Sequence, residues 1–396
     1  MALKSKTGKK RPEKPQLPVK DKHVTLQDIA DYCGISKCSV SLALRGKPPI
    51  SEATRTMILK AVDILGYQAG ANESARRLSL LKQGKRPISN IIALFMAVVP
   101  IETGNYHNNL FHGVLDGLME EEYGLLILHT PSFYAASSLS PLWSIFSRGD
   151  VDGVIYGHAV DPELSERLRA NPGFSSNPIV RLINDQEVDS LVCSDDKYGS
   201  YVATKHLLAL GHRYFCQCIF PIEYGRLPGE IEARIEGIES ALMEAQLPLE
   251  QHLIYFPYIW EWNDPATSPQ MITDLNMPGE LDEEQQVFIE FLHKHPEITA
   301  IFGVNDANAL HAWRALSLAG YKVPEDYSLV GFDDTDTLFD DKHQNQLSSI
   351  HVPLRQIGTE AAHLVVRHVV NPDLPPTTVM LPIEFIPRKS IGNVRG

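Results

Sequence analysis

Thr25-Leu-Gln-Asp-Ile-Ala-Asp-Tyr-Cys-Gly34-Ile-Ser36-Lys-Cys-Ser-Val-Ser-Leu-Ala-Leu-Arg-Gly46 is the stretch from which the rest of the chain is read. Thr25 and Asp28 stand at the T-x-x-D spacing in which a hydroxyl and a carboxylate satisfy the first free N–H groups of a helix. Gly34 permits the sharp turn after that helix, and Ser36 caps a second helix. In the second helix the apolar residues Val40, Ala43 and Leu44 recur at helical spacing, while Lys37, Ser39, Ser41 and Arg45 form a face of short donors and cations. Two helices joined by so tight a turn present the second one to the DNA major groove. The competing reading is an amphipathic pair that only packs.

The residues C-terminal to this pair favour the first reading. Ser51-Glu-Ala-Thr54 caps a third helix, with Met57, Ile58, Ala61, Val62 and Leu65 on its expected inner face and Gly66-Tyr67 closing it. This order of caps, turn and closing Gly-Tyr resembles the lactose-repressor family of bacterial transcription regulators. Asn72-Glu-Ser-Ala75-Arg76-Arg-Leu78 resembles that family's hinge helix, which pairs in the minor groove and wedges a leucine between base pairs. The resemblance implies DNA contacts from Thr25, Ser36, Lys37, Cys38, Ser39, Ser41, Leu42, Arg45 and Thr54 in the head. It adds Asn72, Ala75, Arg76 and the wedge Leu78 in the hinge.

Four departures matter. Relatives commonly carry arginine where this chain has Leu42, and asparagine where it has Arg45. Leu42 lacks the bidentate bond that arginine makes to guanine, so it either touches a thymine methyl or is buried. Between Tyr67 and Asn72 the chain is about two residues longer than usual, and the proline expected before the hinge is missing.

Charge is divided along the chain. Residues 1–86 hold 18 Lys/Arg against 7 Asp/Glu, a balance of +11; the whole chain is −13, which leaves −24 on the remainder. A basic head on an acidic body directs the head toward polyanions. Lys4 to Lys22 is rich in Lys, Pro and Arg, the composition of a disordered tail, either a solubilising extension or a phosphate-gripping arm. With 396 residues, 43% apolar, the chain should hold more than one domain. No apolar run suits a membrane span, and no secretory signal precedes the head, so a cytoplasmic, nucleoid-associated protein is expected. Five cysteines fit a reducing compartment. Cys216 and Cys218 read as small core residues on one face of a strand rather than as a metal pair. No cofactor or metal is expected.

Beyond residue 87 strands and helices alternate. Expected strands are Ile91–Val99, Leu125–His129, Gly153–Tyr156, Ile179–Ile183, Leu191–Cys193, Tyr214–Phe220, Ala300–Val304 and Ser328–Gly331. Helices are expected at Leu110–Glu122, Leu139–Ser147, Gly199–Leu210, Ala233–Ala245 and Ala307–Ala319. Such alternation builds parallel sheets with right-handed crossovers, here two similar α/β lobes. Ligands of these sheets bind beyond the carboxyl ends of the strands, which gathers Tyr106, His107, His158 and Asn184 from the first lobe with Asn305, Asp306, Asp333 and Asp334 from the second. Carboxylates and amides exchange hydrogen bonds with paired hydroxyls while rings cover apolar faces, as a polyhydroxyl ligand needs. The plainer reading of a strand-end carboxylate is a helix cap, for which Asp306 is a candidate.

The family resemblance runs through the body too. Val151-Asp-Gly-Val-Ile, Asp195-Asp-Lys-Tyr-Gly199, Arg234-Ile-Glu-Gly237, Ala300-Ile-Phe-Gly-Val-Asn-Asp306 and Val330-Gly-Phe-Asp-Asp334 match its landmarks. It implies an N-terminal all-α helix-turn-helix domain joined to an α/β, two-lobed, periplasmic-binding-protein-like body of type I with parallel sheets. Arg234, Asn305 and Asp333 fall where relatives hold an effector, with Tyr106 and His107 at aromatic pocket positions. The expected boundaries are 1–22 tail, 23–70 head, 71–87 hinge and linker, and 88–396 effector and dimerisation domain. Within that domain, lobe 1 is 88–213 with 350–374, and lobe 2 is 214–349 with 375–390, after a return helix Leu354–Val370 and a last strand near Thr378–Ile386. Phe256–Glu284 reads as an insertion carrying Tyr258, Trp260 and Trp262, either a lid on a sugar or a surface loop packed on its own aromatics.

The expected function is that of a transcriptional regulator, in the sense of a repressor, binding a palindromic DNA operator as a homodimer under control of a sugar-like small molecule. A purine-responsive regulator and a solute receptor without a transcriptional role are the alternatives. Against a sugar-modifying enzyme, Asp333 and Asp334 are adjacent in a strand-end loop, where neighbours point apart, and no nucleophile–base pair accompanies them.

Overall fold

The structure, a computed structural model, describes residues 24–44, 48, 50–67, 87–96, 105–129, 143–157, 162–182, 189–219, 227, 229–255, 279–335 and 337–394. The chain divides into two compact units, one through Ile88 and one from Ser89.

The first unit holds α1 (Leu26–Cys33), α2 (Lys37–Leu44) and α3 (Glu52–Leu65). Thr25 and Asp28 form a reciprocal capping box: the Thr25 N–H donates to Asp28 at 2.7 Å and the Asp28 N–H to Thr25 Oγ1 at 3.3 Å. Gly34 sits at φ 67°, a left-handed conformation that costs a side-chain-bearing residue energy, and its N–H closes the turn onto Ala30 and Asp31. Ser36 Oγ accepts from the Ser39 N–H at 3.1 Å and Ser51 Oγ from the Thr54 N–H at 3.2 Å, so both later helices start as the caps predict. Ile29, Ala30, Val40, Ala43, Ile58 and Ala61 are buried together, with Val24, Ile35, Leu44, Ile50, Val62, Leu65 and Tyr67 packed around them. Met57, expected on this inner face, is instead 41% exposed. At 100° per residue it lies about a quarter-turn from the centre of the stripe formed by Ile58, Ala61, Val62 and Leu65.

Among the described residues the second unit carries two six-stranded sheets. The first runs in the order β11, β5, β4, β3, β1, β2, where β1 is Ile91–Met96, β2 Gly124–His129, β3 Gly153–Tyr156, β4 Ile179–Arg181, β5 Ser190–Ser194 and β11 Thr378–Leu381. All its pairings are parallel. The second runs β12, β10, β9, β8, β6, β7, with β6 Phe215–Cys218, β7 His252–Tyr255, β8 Ala300–Gly303, β9 Ser328–Asp333, β10 Ser348–His351 and β12 Glu384–Ile386. Only β12 is antiparallel to its neighbour there. Strands β1, β3, β6, β8 and β9 are buried almost throughout, as sheets covered on both faces require. Cys216 and Cys218 lie in the apolar core of the second sheet.

The covering helices are α4 (Asn105–Glu120), α5 (Trp143–Ser147), α6 (Pro162–Ala170), α7 (Asp196–Ala209), α8 (Gly229–Glu244), α9 (Glu283–Lys294), α10 (Asp306–Leu318) and α11 (Leu354–Val370). Two helix pairs cross at glycines. A Cβ on Gly113 of α4 would lie 1.9 Å from the Arg355 carbonyl oxygen of α11, and a Cβ on Gly237 of α8 would lie 2.2 Å from the Lys197 carbonyl oxygen of α7. Neither approach tolerates a side chain.

These pairings correct the expected lobe boundaries. α7 falls within the span expected for lobe 1 (88–213), yet it packs on α8 and against β10 and β12, all elements of the second sheet. The segment 375–390, expected in lobe 2, is split: β11 pairs with β5 in the first sheet, and only β12 joins the second. β10, whose end falls in the span given to lobe 1 (350–374), belongs to the second sheet. The chain therefore passes between sheets at Ser194–Asp196, at His351–Leu354 and at Leu381–Glu384, where each segment is too short to turn back on its own sheet.

Candidate nucleic-acid interface and effector cleft

On the head, α2 turns Ser36, Lys37 and Cys38 to the surface, with Ser39 and Ser41 partly covered. Leu42 is partly exposed and is not among the apolar residues that pack the head core. It is therefore available on the helix surface beside Ser39 and Ser41. Thr25 and Thr54 are partly buried at the starts of α1 and α3, each engaged in its cap. A helix carrying small hydroxyls, a thiol and a lysine on one face, with its other face locked in a core, offers a rigid edge of donors to a groove. Arg45, Asn72, Ala75, Arg76 and Leu78 lie outside the described residues.

In the second unit the site is built around Arg234. The helix α8 delivers its guanidinium to the carboxyl ends of the second sheet, where it is 8% exposed. Nε donates to Asp196 Oδ2 at 2.8 Å, Nη2 to Asp333 Oδ1 at 3.3 Å, and Nη1 to the carbonyl oxygen of Val304. Its Cζ lies 3.6 Å from the centroid of the Phe332 ring. Burial pulls the Arg234 pKa down, but the Asp196 and Asp333 carboxylates outweigh it and hold it above its ordinary value.

Asp333 ends β9 at φ 91°, a left-handed conformation for a side-chain-bearing residue, and Asp334 comes next at φ 56°. Such backbone costs on the order of 1–3 kcal/mol per residue and persists where the surroundings enforce it. Here ion pairs on either side do so. Asp333 turns to Arg234, whereas Asp334 turns to Arg388 with contacts of 2.7 and 3.0 Å. The two adjacent carboxylates thus point apart, as strand-end neighbours should.

Asn305 and Asp306 exchange the roles that cap statistics suggested. Asn305 is the N-cap of α10, its Oδ1 accepting from the Asn308 N–H at 2.9 Å. Asp306 is fully buried and receives the Thr335 N–H at 2.7 Å and the Ser349 hydroxyl. A Cβ on Gly331 would lie 2.2 Å from the Asp306 carboxylate, so β9 carries glycine there to admit it.

From the first sheet, α4 brings Tyr106 and His107, rings 5.3 Å apart and nearly perpendicular. Burial, then the Asp333 carboxylate, pushes the Tyr106 phenol well above its ordinary range; Glu230 and Asp196 add to this, and the Arg234 guanidinium opposes it. These couplings bring Tyr106, Arg234, Asp196 and Asp333 to one place from separate stretches of sequence. Burial lowers the His107 imidazole. His158, Asn184 and Trp260 lie outside the described residues.

Two members of this cluster escaped the sequence reading. Asp196 begins α7, and only the second aspartate of Asp195-Asp-Lys-Tyr-Gly199 reaches Arg234; the first caps the helix through the Tyr198 N–H at 3.1 Å. Glu230 stands one helical turn before Arg234 on α8, a spacing that places it on the same face. Burial pushes its carboxyl up to about 7, against the pull of its own backbone N–H and of Arg234.

Comparison with known proteins agrees with both halves. Residues 25–69 match the family model described as bacterial regulatory proteins, lacI family, and residues 204–391 match the periplasmic binding protein-like domain. The chain is 27% identical over 371 residues to the HTH-type transcriptional regulator DegA of Bacillus subtilis (strain 168), covering 92% of this chain and 97% of the relative. Among solved structures, a transcriptional regulator CelR-cellobiose complex is 22% identical with a TM-score of 0.60, covering 93% of this chain and 100% of the other. The lac repressor dimer bound to operator and the anti-inducer ONPF is 18% identical with a TM-score of 0.63, covering 93% and 99%. At these identities the two structures speak for the fold alone. A helix-turn-helix head of the lacI type, joined in one chain to a periplasmic-binding-like body with parallel sheets, makes this protein a transcriptional regulator of the lacI family of bacterial regulatory proteins.

Proposed function

We propose that the chain is a cytoplasmic, nucleoid-associated repressor that binds a palindromic operator as a homodimer and is controlled by a small polyhydroxyl molecule held at Arg234, Asp333, Asn305 and Tyr106. The observation that carries this reading is the Arg234 cluster itself. A buried guanidinium between Asp196 and Asp333, approached by Tyr106 from the other sheet, offers acceptors and donors side by side. Paired hydroxyls on a sugar ring are donors and acceptors at the same spacing. A purine would need a stacking slot. Among the described cleft residues the rings are Tyr106, His107 and Phe332, and the last is already covered by Arg234. That favours the sugar.

Two proteins of the same fold are a regulator in complex with cellobiose and a repressor dimer bound to operator and an anti-inducer. For this chain, the basic balance of residues 1–86 supports the same division of labour. An effector that binds across the two sheets favours one angle between them, and the three crossings transmit the choice to the segment that precedes Ser89. Coupling of this kind is worth typically ~1–3 kcal/mol. The residues proposed for DNA include Arg45, Asn72, Ala75, Arg76 and Leu78, whose roles rest on the family resemblance. In vitro selection from randomised duplexes with the full-length chain tests the DNA half. An inverted repeat is expected, and recovery of unselected sequence contradicts the reading.

A further inference from the structure

The second carboxylate oxygen of Glu230 is covered from solvent although the residue as a whole is only partly buried, and among the described residues it has no hydrogen-bond partner. A covered acceptor without a donor is an unusual feature at a site where every other charge is answered. Arg234, on the same helix, is committed in all directions: to Asp196 of α7, to Asp333 at the end of β9, to the Val304 carbonyl and to the Phe332 ring. The groups that face Glu230 are therefore Arg234 from its own helix, Asp196 from α7, Asp333 from β9 and Tyr106 from α4. Three carboxyl groups surround one guanidinium.

We propose that Glu230 is a specificity-determining residue of this cleft, whose unmet hydrogen-bonding capacity is filled by a hydroxyl or amino donor on the effector, so that the site takes neutral and amino-bearing polyols and rejects sugar acids and sugar phosphates. This deepens the function proposed above and rests on it. An acidic ligand gains nothing from Arg234 without breaking a buried ion pair, and it meets the carboxylates of Asp196, Asp333 and Glu230. A donor meets the reverse situation: Glu230 accepts its hydrogen, and an ammonium adds charge attraction. Because the Glu230 carboxyl is pushed up to about 7, its ability to accept grows as pH rises from 6 to 8. Affinity for a donor rises with it.

The test uses the full-length chain and its Glu230→Gln variant. Several hexose and pentose skeletons are each presented as neutral sugar, amino sugar, sugar acid and phosphorylated sugar, and ranked by thermal shift and then calorimetry at pH 6 and pH 8. The expected result is that the stabilising compounds are neutral or amino-bearing. Glu230→Gln is expected to weaken the amino form by about tenfold or more and to remove the pH dependence of binding of the neutral sugar, which has no titrating group of its own. A sugar acid or phosphate that binds more tightly than its neutral counterpart overturns the assignment while leaving the polyhydroxyl effector in place, as does a Glu230→Gln variant with unchanged affinities at both pH values. If no compound of any class stabilises the chain, the polyhydroxyl reading fails and this inference with it.

Discussion

Arg234 is a residue on which the body's structure and the proposed ligand site both lean, and replacing it separates the two contributions. Arg234→Met keeps the stem packing near Phe332 but withdraws the guanidinium from Asp196 and Asp333, which are 5% and 6% exposed. Removing one partner of a buried pair leaves an uncompensated charge and typically costs about 3–5 kcal/mol. Here two carboxylates and the Val304 carbonyl lose their donor together, so the upper half of that range is expected. A body of roughly 300 residues has a melting entropy near 0.6 kcal/mol per degree, so the melting temperature should fall by about 6–8 °C. Calorimetric melting of the full chain measures this. Adding Asp333→Asn to Arg234→Met should return part of the loss, because the amide needs no counter-charge. A single variant that melts within about 1 °C of the wild type, or a double variant less stable than the single one, refutes the view that this ion cluster holds the second sheet's helices in place. The consequence for ligand studies is practical. Loss of effector response in an Arg234 variant must be read beside its melting temperature.

Single features elsewhere carry their own expected outcomes. Gly237→Ala places a methyl 2.2 Å from the Lys197 carbonyl oxygen, so α7 and α8 must part; a loss of about 1–3 kcal/mol in denaturant unfolding is expected. Thr25→Ala removes one half of the capping box and should cost the head about 1 kcal/mol, seen as a lower midpoint in its melting with little change in the body. Glu230 gives a pH signature without any ligand. Its folded-state pKa of about 7 lies above the ordinary carboxylate value, so Glu230 costs the fold nothing while it is protonated in acid and costs stability as pH rises toward and through 7. The loss has an upper bound of about 3 kcal/mol, and Glu230→Gln should abolish that slope in melting curves taken from pH 5 to 8.

Periodicity and caps made most of the fold legible. Gly153–Tyr156 occurs with the bounds read from its apolar run, and the helix Leu354–Val370 with those the family resemblance implied. The elements that escaped had weaker marks. The helix Glu283–Lys294 begins in a stretch read as insertion, although Asp282 and Gln285 form a capping box that the sequence displays. The strand His252–Tyr255 is fully buried only at its two ends, so it shows neither a continuous buried run nor a clean alternation. The lobe boundaries failed for a different reason. Which sheet a strand joins is a matter of long-range pairing, as β11 with β5 and β12 with β10, and such pairing leaves no local pattern. The cleft was legible residue by residue but not as a network. Asp333 came from the strand-end rule and Arg234 from the family resemblance, while Asp196 and Glu230 became visible only when the helices that carry them were seen to converge.

One measurement bears most directly on the claim that a DNA-reading head answers to a molecule held at Arg234. The inverted repeat recovered by selection is labelled, and the full-length chain is titrated onto it by fluorescence anisotropy with and without a saturating amount of the strongest cleft ligand. Operator affinity should change by at least about fivefold, the lower end of the coupling expected for such switches. An affinity that stays the same at saturation, for a ligand shown by calorimetry to need Arg234, would contradict it.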